Sequence, residues 1–254
     1  MRIENTIVLV TGGARGLGEH LSRAFAREGA RVVVNYHSSE ERARALVSEL
    51  GEDRALAAQA DVTDAQQVRD MVTQAREHFG APITVAVNNA LVDFSFNGDA
   101  RPTLERLTAE NLTQQFQGAV VGALNVMQAV TPGMAEAGEG RIINIGTNLF
   151  QNPVVPYHDY TAAKAALLSL TRTAAKDLGP QGITVNMISG GLLRTTDASA
   201  ATPDEVFDFI AAGTPLGRVT TPEEFADTAL FFASDWSRGV TGQNLVVDGG
   251  LVMD

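Results

Sequence analysis

Short runs of consecutive apolar residues, such as Ile7-Val8-Leu9-Val10, alternate along this chain with longer stretches whose apolar positions recur at helical spacing. A run without polar alternation suits a strand covered on both faces. The pattern predicts strands at 6–10, 31–35, 54–59, 83–88, 140–145, 184–188 and 245–247. It predicts helices near 17–28, 39–50, 64–78, 108–137, 159–178 and 222–234. Strands alternating with helices predict an α/β fold, a doubly wound parallel sheet flanked by helices on both faces, with right-handed crossovers. The helix from Asp159 is well marked, with Ala and Leu through its middle and Gly179-Pro180 to stop it. With no linker, repeat or low-complexity tract, residues 1–254 read as a single domain. The least regular stretch, 192–214, holds Arg194, Asp197, Asp204, Glu205 and Gly213. It is either a lid over a substrate site or a plain surface excursion.

Composition narrows the function classes. A chain of 254 residues with 44% hydrophobic content and 24 glycines fits one large core-forming domain. The formal net charge of −11 argues against a nucleic-acid partner, although local donors can still hold a small anion. There is no cysteine, so disulfide and thiolate chemistry are excluded. The chain enters a strand almost at once, which leaves no room for a signal peptide, and no apolar run approaches the roughly 18 residues of a membrane span. The expectation is a cytoplasmic protein without a membrane partner. The histidines lack metal-ligand spacing, and no metal is expected.

Two features carry chemistry. The first is the turn Thr11-Gly12-Gly13-Ala14-Arg15-Gly16-Leu17-Gly18, set between a strand and a helix, where backbone amides can hold a pyrophosphate. The second is Tyr160-Thr-Ala-Ala-Lys164, whose i, i+4 spacing on a helix puts a phenol beside an ammonium. A neighbouring cation should lower the phenol's pKa and make it a proton donor, and Thr147 stands upstream at the end of an apolar strand. Together these suggest carbonyl reduction by a nicotinamide cofactor.

The spacing Gly12, Gly16, Gly18 resembles the TGxxxGxG turn of the short-chain dehydrogenase/reductase family. The resemblance extends along most of the chain: Asp61-Val62, Asn88-Asn89-Ala90, Tyr160 with Lys164, Val185-Asn186-Met187-Ile188, Thr241-Gly242-Gln243 and Val247-Asp248-Gly249-Gly250 follow the family's motifs in order. Pro215-Leu216-Gly217-Arg218 with Pro222-Glu223-Glu224 looks most like the 3-oxoacyl-acyl-carrier-protein reductase branch. The resemblance implies a Rossmann fold and a cofactor site built from Gly12, Arg15, Gly16, Leu17, Gly18, Asn35, His37, Ser38, Asp61, Val62, Asn88, Ala90, Tyr160, Lys164, Gly191 and Thr195. An acid at the end of the second strand would bind the ribose hydroxyls of NAD. Here Asn35-Tyr36-His37-Ser38-Ser39 offers no carboxylate before Glu40, and Arg15, His37 and Ser38 can meet a phosphate, so NADPH is expected over NADH.

In the family's mechanism Tyr160 gives the proton, Lys164 lowers its pKa and holds the nicotinamide ribose, and Thr147 binds the carbonyl oxygen. The resemblance thus implies an NADPH-dependent reductase of a ketone or 3-oxoacyl thioester, with a small carbonyl substrate that could be carried on acyl carrier protein. It also implies a homotetramer joined through the helices at 108–137 and 159–178. A secondary-alcohol or hydroxysteroid-type dehydrogenase, or a dinucleotide-binding sensor or partner subunit, are the alternatives. Several departures bear on the mechanism. Thr147 replaces the usual serine. The family's catalytic asparagine falls at Ala119, so Gln115 or Asn148 either substitutes for it or has a structural role. Leu91 ends the Asn-Asn-Ala motif, narrowing the cofactor space or shifting the loop to Asp93. Gly190 stands for the usual proline, so a more flexible start to the substrate loop is expected. His158 and Asp159 could line the substrate mouth, or Asp159 could cap its helix.

Overall fold

The structure, a computed structural model, describes residues 1–92 and 101–253. One seven-stranded sheet carries the described elements. Its strands are β1 (Ile7–Val10), β2 (Arg31–Tyr36), β3 (Ala55–Gln59), β4 (Val85–Asn88), β5 (Gly140–Thr147), β6 (Ile183–Gly190) and β7 (Asn244–Val247). They run in the order β3-β2-β1-β4-β5-β6-β7, and every pairing is parallel. The expected doubly wound sheet is therefore present, with its switch in strand order between β1 and β4. Such a switch opens a crevice at the carboxyl ends of the strands.

Alternation along each strand divides the core. Val8 and Val10 of β1 face a cluster with Leu21 and Phe25 of α1 (Gly16–Arg27), Leu46 of α2 (Glu40–Leu50), and Phe225 and Phe232 further along the chain. Ile7 and Leu9 face the other cluster, with Val68 and Met71 of α3 (Ala65–Phe79) and, from the later helices, Val126, Met134 and Leu167. Both faces of β1 are thus dry, which is why its four residues are all apolar.

The predicted helix at 108–137 is continuous but not uniform. It consists of α4 (Ala109–Phe116), a π-helical segment Gln117–Val121, and α5 (Gly122–Ala137). The wider turn coincides with close packing: a Cβ on Gly118 would lie 2.7 Å from Val92 Cβ, and one on Gly122 would lie 2.9 Å from Val62 Cγ2. Such segments are often found at functional sites. α6 (His158–Leu178) follows β5 as expected.

The stretch 192–214, expected to be the least regular, contains α7 (Asp204–Gly213) and is knitted together by its own contacts. Leu193 bridges Thr220 in parallel fashion, Ser199 Oγ donates to the Leu193 carbonyl at 2.7 Å, and Arg194 donates to Asp204 at 2.7 Å. α8 (Pro222–Ala233) then returns to the sheet, opened by a Thr221/Glu224 capping box. Among the described residues no helix is long and apolar enough to cross a membrane.

Asn35, at 1% exposure, ties this fold to the glycine turn. Its Oδ1 accepts the Gly12 N–H at 3.1 Å, and its amide donates to the carbonyls of Ala58 at 3.3 Å and Ala60 at 3.1 Å. Replacing it with alanine strands a buried N–H and two carbonyls, at a cost of about 1–3 kcal/mol for each unsatisfied group that water cannot reach. We expect Asn35→Ala to lower the urea midpoint and weaken cofactor binding together. A variant with unchanged stability and cofactor affinity would show that the side chain does not hold the turn.

Candidate active site

The glycine turn joins β1 to α1 at the switch point. Gly12 and Gly16 have φ of +60° and +52°, conformations that a side chain would strain. A Cβ on Gly18 would lie 2.1 Å from the Gly12 carbonyl oxygen, so only glycine lets α1 pack this tightly under the turn. Ser22 Oγ, one turn into α1, donates to the carbonyls of Gly13 at 3.0 Å and Gly18 at 2.9 Å. Thr11 Oγ1 accepts the N–H groups of Asn89 at 2.9 Å and Ala90 at 3.0 Å, binding the turn to the end of β4. The result is a rigid backbone cradle at a helix N-terminus, which fits a dinucleotide's pyrophosphate.

Around this cradle the expected residues divide into two groups. Leu17 is half-buried in the first turn of α1, while Arg15, His37, Ser38 and Thr195 are exposed. Asn35, as above, is buried beneath the turn, and Asp61 is engaged in its own loop, where Oδ1 accepts from Thr63 N at 2.8 Å and Thr63 Oγ1 at 2.7 Å. Val62 is buried, and its carbonyl accepts the Asn125 amide at 2.9 Å. Arg42 of α2 was not singled out from the sequence. It pairs with Asp197 at 2.5 Å, and Asp197 lies over the glycine turn, its Cβ 3.8 Å from where a Gly16 Cβ would be. A pair 155 residues apart leaves no local signal in the sequence.

Tyr160 and Lys164 lie in the first two turns of α6, against the end of β5, and both are buried. Tyr160 shares a hydrogen bond with Thr147, the last residue of β5. Thr147 Oγ1 also accepts the Leu149 N–H at 3.3 Å, and the Tyr157 ring meets Tyr160 edge-on at 6.5 Å. Lys164, 3% exposed, donates to the Ile145 carbonyl at 2.7 Å, and its Nζ lies 5.7 Å from the Tyr160 ring centre.

In the protein alone burial acts against the expected lowering of the phenol. Burial pushes Tyr160 well above its ordinary 10.0; the Thr147 hydrogen bond opposes that rise and Tyr157 adds to it. Burial likewise pulls Lys164 from 10.5 down to about 8. Burial in apolar surroundings drives both groups towards their neutral forms.

The departures from the family pattern acquire physical reasons. Ala119 lies in the π-helical segment and lines a pocket of about 10 Å³ together with Thr11, Asn88 and Lys164. Asn88 is buried, its amide donates to Asn144 Oδ1 at 2.8 Å, and its own Oδ1 is buried without a partner. Both suggested substitutes for the asparagine have their side-chain amide N–H groups engaged. Gln115 donates to the Val92 carbonyl at 3.2 Å, and Asn148 donates to Asp248 Oδ2 at 2.8 Å.

Gly190 does not loosen the chain. It ends β6 paired with both Thr147 and Val247, and a Cβ there would lie 2.8 Å from the Phe225 ring. Gly191 is similarly confined, 3.0 Å from Asp248 Cβ by the same measure. Leu91 is half-buried, Ala90 approaches Gly12, and Asp93 lies outside the described residues.

The buried lysine has a stability signature. Between about pH 8 and 10 the unfolded chain binds the Lys164 proton more tightly than the folded one, so stability rises with pH. Above pH 10 the sign reverses, because folded Tyr160 keeps a proton that the unfolded chain loses. Urea unfolding at pH 7.5 and 9.5 should show the wild type gaining about 2 kcal/mol more than Lys164→Met. Equal pH dependence in the two proteins would mean that Lys164 is not held in a desolvated site.

Comparison with known proteins extends this picture. Residues 12–252 match the family model described as enoyl-(acyl carrier protein) reductase. The 3-oxoacyl-(acyl-carrier-protein) reductase FabG of Staphylococcus aureus is 34% identical over 249 residues, which is 96% of this chain and 97% of that protein. The protein of the same name from Thermotoga maritima is 34% identical over 260 residues, covering 100% of both chains. An uncharacterized oxidoreductase of Methylorubrum extorquens is 33% identical over 254 residues, or 98% and 99% of the two chains. With its parallel sheet, glycine cradle and Tyr160/Lys164 pair, this chain belongs to the short-chain dehydrogenase/reductase family, NAD(P)-dependent oxidoreductases acting on keto and hydroxy groups.

Proposed function

We propose that the chain is an NADPH-dependent reductase of ketones, foremost a 3-oxoacyl thioester carried on acyl carrier protein. The observation that carries this reading is one small pocket whose lining runs from Thr11 of the glycine turn through Asn88 and Ala90 to Lys164. It joins the cradle to the catalytic helix. The curated relatives named 3-oxoacyl-(acyl-carrier-protein) reductase support the substrate class.

In this reading the backbone of Gly12 to Gly18, including Arg15, Gly16 and Leu17, holds the pyrophosphate. Asp61 and Val62 flank the adenine, and Arg15, His37 and Ser38 meet the 2′-phosphate. Asn88, Ala90, Lys164, Gly191 and Thr195 surround the nicotinamide riboside, with Asn35 holding the turn from below. The nicotinamide supplies the hydride when bound.

The chain's own residues supply the proton. Thr147 hydrogen-bonds the carbonyl oxygen, and Tyr160 delivers its proton as that oxygen becomes an alkoxide. A phenol raised by burial holds its proton firmly, so releasing it needs a cation nearby. Lys164, at about 8, is still largely protonated at pH 7 and provides one. The space beside Ala119 is at the lower limit for one water. Asn88 Oδ1 and Lys164 would be its partners there, so a water, in place of an asparagine side chain, completes the proton supply. The exposed Leu112, Phe116 and Leu124 along α4 and α5 support the tetramer proposed through these helices.

The test is NADPH oxidation with a panel of 3-oxoacyl thioesters, 2-enoyl thioesters and simple ketones. We expect turnover on the 3-oxoacyl compounds and at least a hundredfold loss in Tyr160→Phe, a loss of about 3 kcal/mol in transition-state stabilisation. Reduction of the enoyl thioesters alone would replace this reading with the activity in the family model's description. Tight NADPH binding without turnover on any member would favour a sensor or partner subunit.

Two further outcomes concern particular residues. Ala119→Leu, which fills the pocket, should lower kcat about tenfold or more while leaving NADPH affinity unchanged, whereas Gln115→Ala should leave kcat near wild type. The reverse pattern would return the relay to Gln115. The ratio of kcat/KM for NADPH over NADH should fall in Arg15→Ala. An unchanged ratio removes Arg15 from the 2′-phosphate site.

A further inference from the structure

We infer that Arg101 is a positioning residue for Tyr160, acting through Asp159. This rests on the proposed role of Tyr160 as proton donor. α6 begins at His158, and the side chain of its N-cap residue, Tyr157, does not cap the helix. The first N–H groups of a helix need acceptors from elsewhere. Asp159 supplies one, its Oδ1 accepting the Tyr160 N–H at 2.9 Å. The same carboxylate's Oδ2 accepts Arg101 Nη2.

This ion pair is the most buried in the described structure, with side-chain exposures of 15% for Arg101 and 5% for Asp159. Most of the other side-chain pairs lie on the surface, where such contacts contribute little. A carboxylate this sheltered is unfavourable unless it is paired. Without Arg101, Asp159 would lose its only charged partner among the described contacts and turn towards water, which loosens its hold on the Tyr160 N–H. The arginine comes from a separate part of the chain, 58 residues earlier, in the segment that leads into α4. The phenol's placement against Thr147 is thereby set by a residue that is not part of the catalytic cluster. Misplacement of a reacting group by about 1 Å can cost a hundredfold in rate.

The test compares R101M, R101K and the charge-swapped R101D/D159R with the wild type, using kcat, NADPH dissociation constants from fluorescence titration, and Tm. Y160F is run in parallel. We expect R101M to lose about tenfold or more in kcat, with the NADPH dissociation constant within about twofold of wild type. R101K, which keeps the charge, should recover most of the rate. The swapped pair restores opposite charges, so it should regain Tm over R101M, yet kcat should stay low because the side chain introduced at 159 has no acceptor for the Tyr160 N–H.

Wild-type kcat in R101M, or recovery of both Tm and kcat in the swapped pair, would overturn the positioning role. If the swapped protein does not fold, R101K decides: recovered kcat supports the role, and a rate as low as that of R101M refutes it. Should Y160F turn over at the wild-type rate, the assignment of Tyr160 itself fails. An inactive Y160F beside a fully active R101M would remove only the role of Arg101.

Discussion

The site depends on holding an ammonium and a phenol out of water with few polar partners. Lys164 and Tyr160 occupy the same end of α6, under the sheet's carboxyl edge, and each is driven towards neutrality by burial. Folding tolerates this because Lys164 finds the Ile145 carbonyl and Tyr160 finds Thr147, both on β5. The strand that supplies these partners is held by β4 up to Asn144 and by β6 along its whole length, including Ile145 and Thr147 themselves. A pair held in this way is poised: a cationic ring brought close to the phenol would change its proton affinity far more than it could in water.

The rest of the fold can be understood as bringing a phosphate cradle to that pair. Reversal of strand order at β1 and β4 places the glycine turn beside the ends of the central strands, and Thr11 binds the turn to Asn89 and Ala90. The π-helical segment then brings Gly118 against Val92 and leaves Ala119 facing the Lys164 pocket. A straight α-helix would present a different residue there. The small residues of this segment and its widened turn belong together, since each close approach needs a missing side chain.

How much of this was legible beforehand follows from the range of each interaction. The strands and main helices could be read from runs such as Ile7–Val10 and from stop signals such as Gly179-Pro180, because these are local consequences of burial on two faces and of backbone chemistry. The glycine turn and the Tyr160/Lys164 spacing are local as well. The widened turn at Gln117–Val121 was not legible, since five residues are too few for a change of period to show in the apolar pattern. α7 was missed because its apolar residues do not mark a single face: Phe207 is buried while Val206 and Phe209 are exposed. The burial that raises Tyr160 in the protein alone was not legible, because spacing shows which groups are neighbours and not how dry their surroundings are. Arg101 with Asp159, and Arg42 with Asp197, join distant parts of the chain and carry no local pattern.

The central claim is that burial keeps the Tyr160 phenol protonated in the protein alone; the proposed mechanism adds that nearby cations, Lys164 and an oxidised nicotinamide, release it. An ultraviolet pH titration of tyrosinate absorbance, taken as wild type minus Tyr160→Phe with and without oxidised NADP, measures this directly. The account predicts no ionisation of Tyr160 below about pH 10 in the protein alone, and a clear downward shift when the oxidised cofactor is added. Ionisation near neutral pH without cofactor would contradict it.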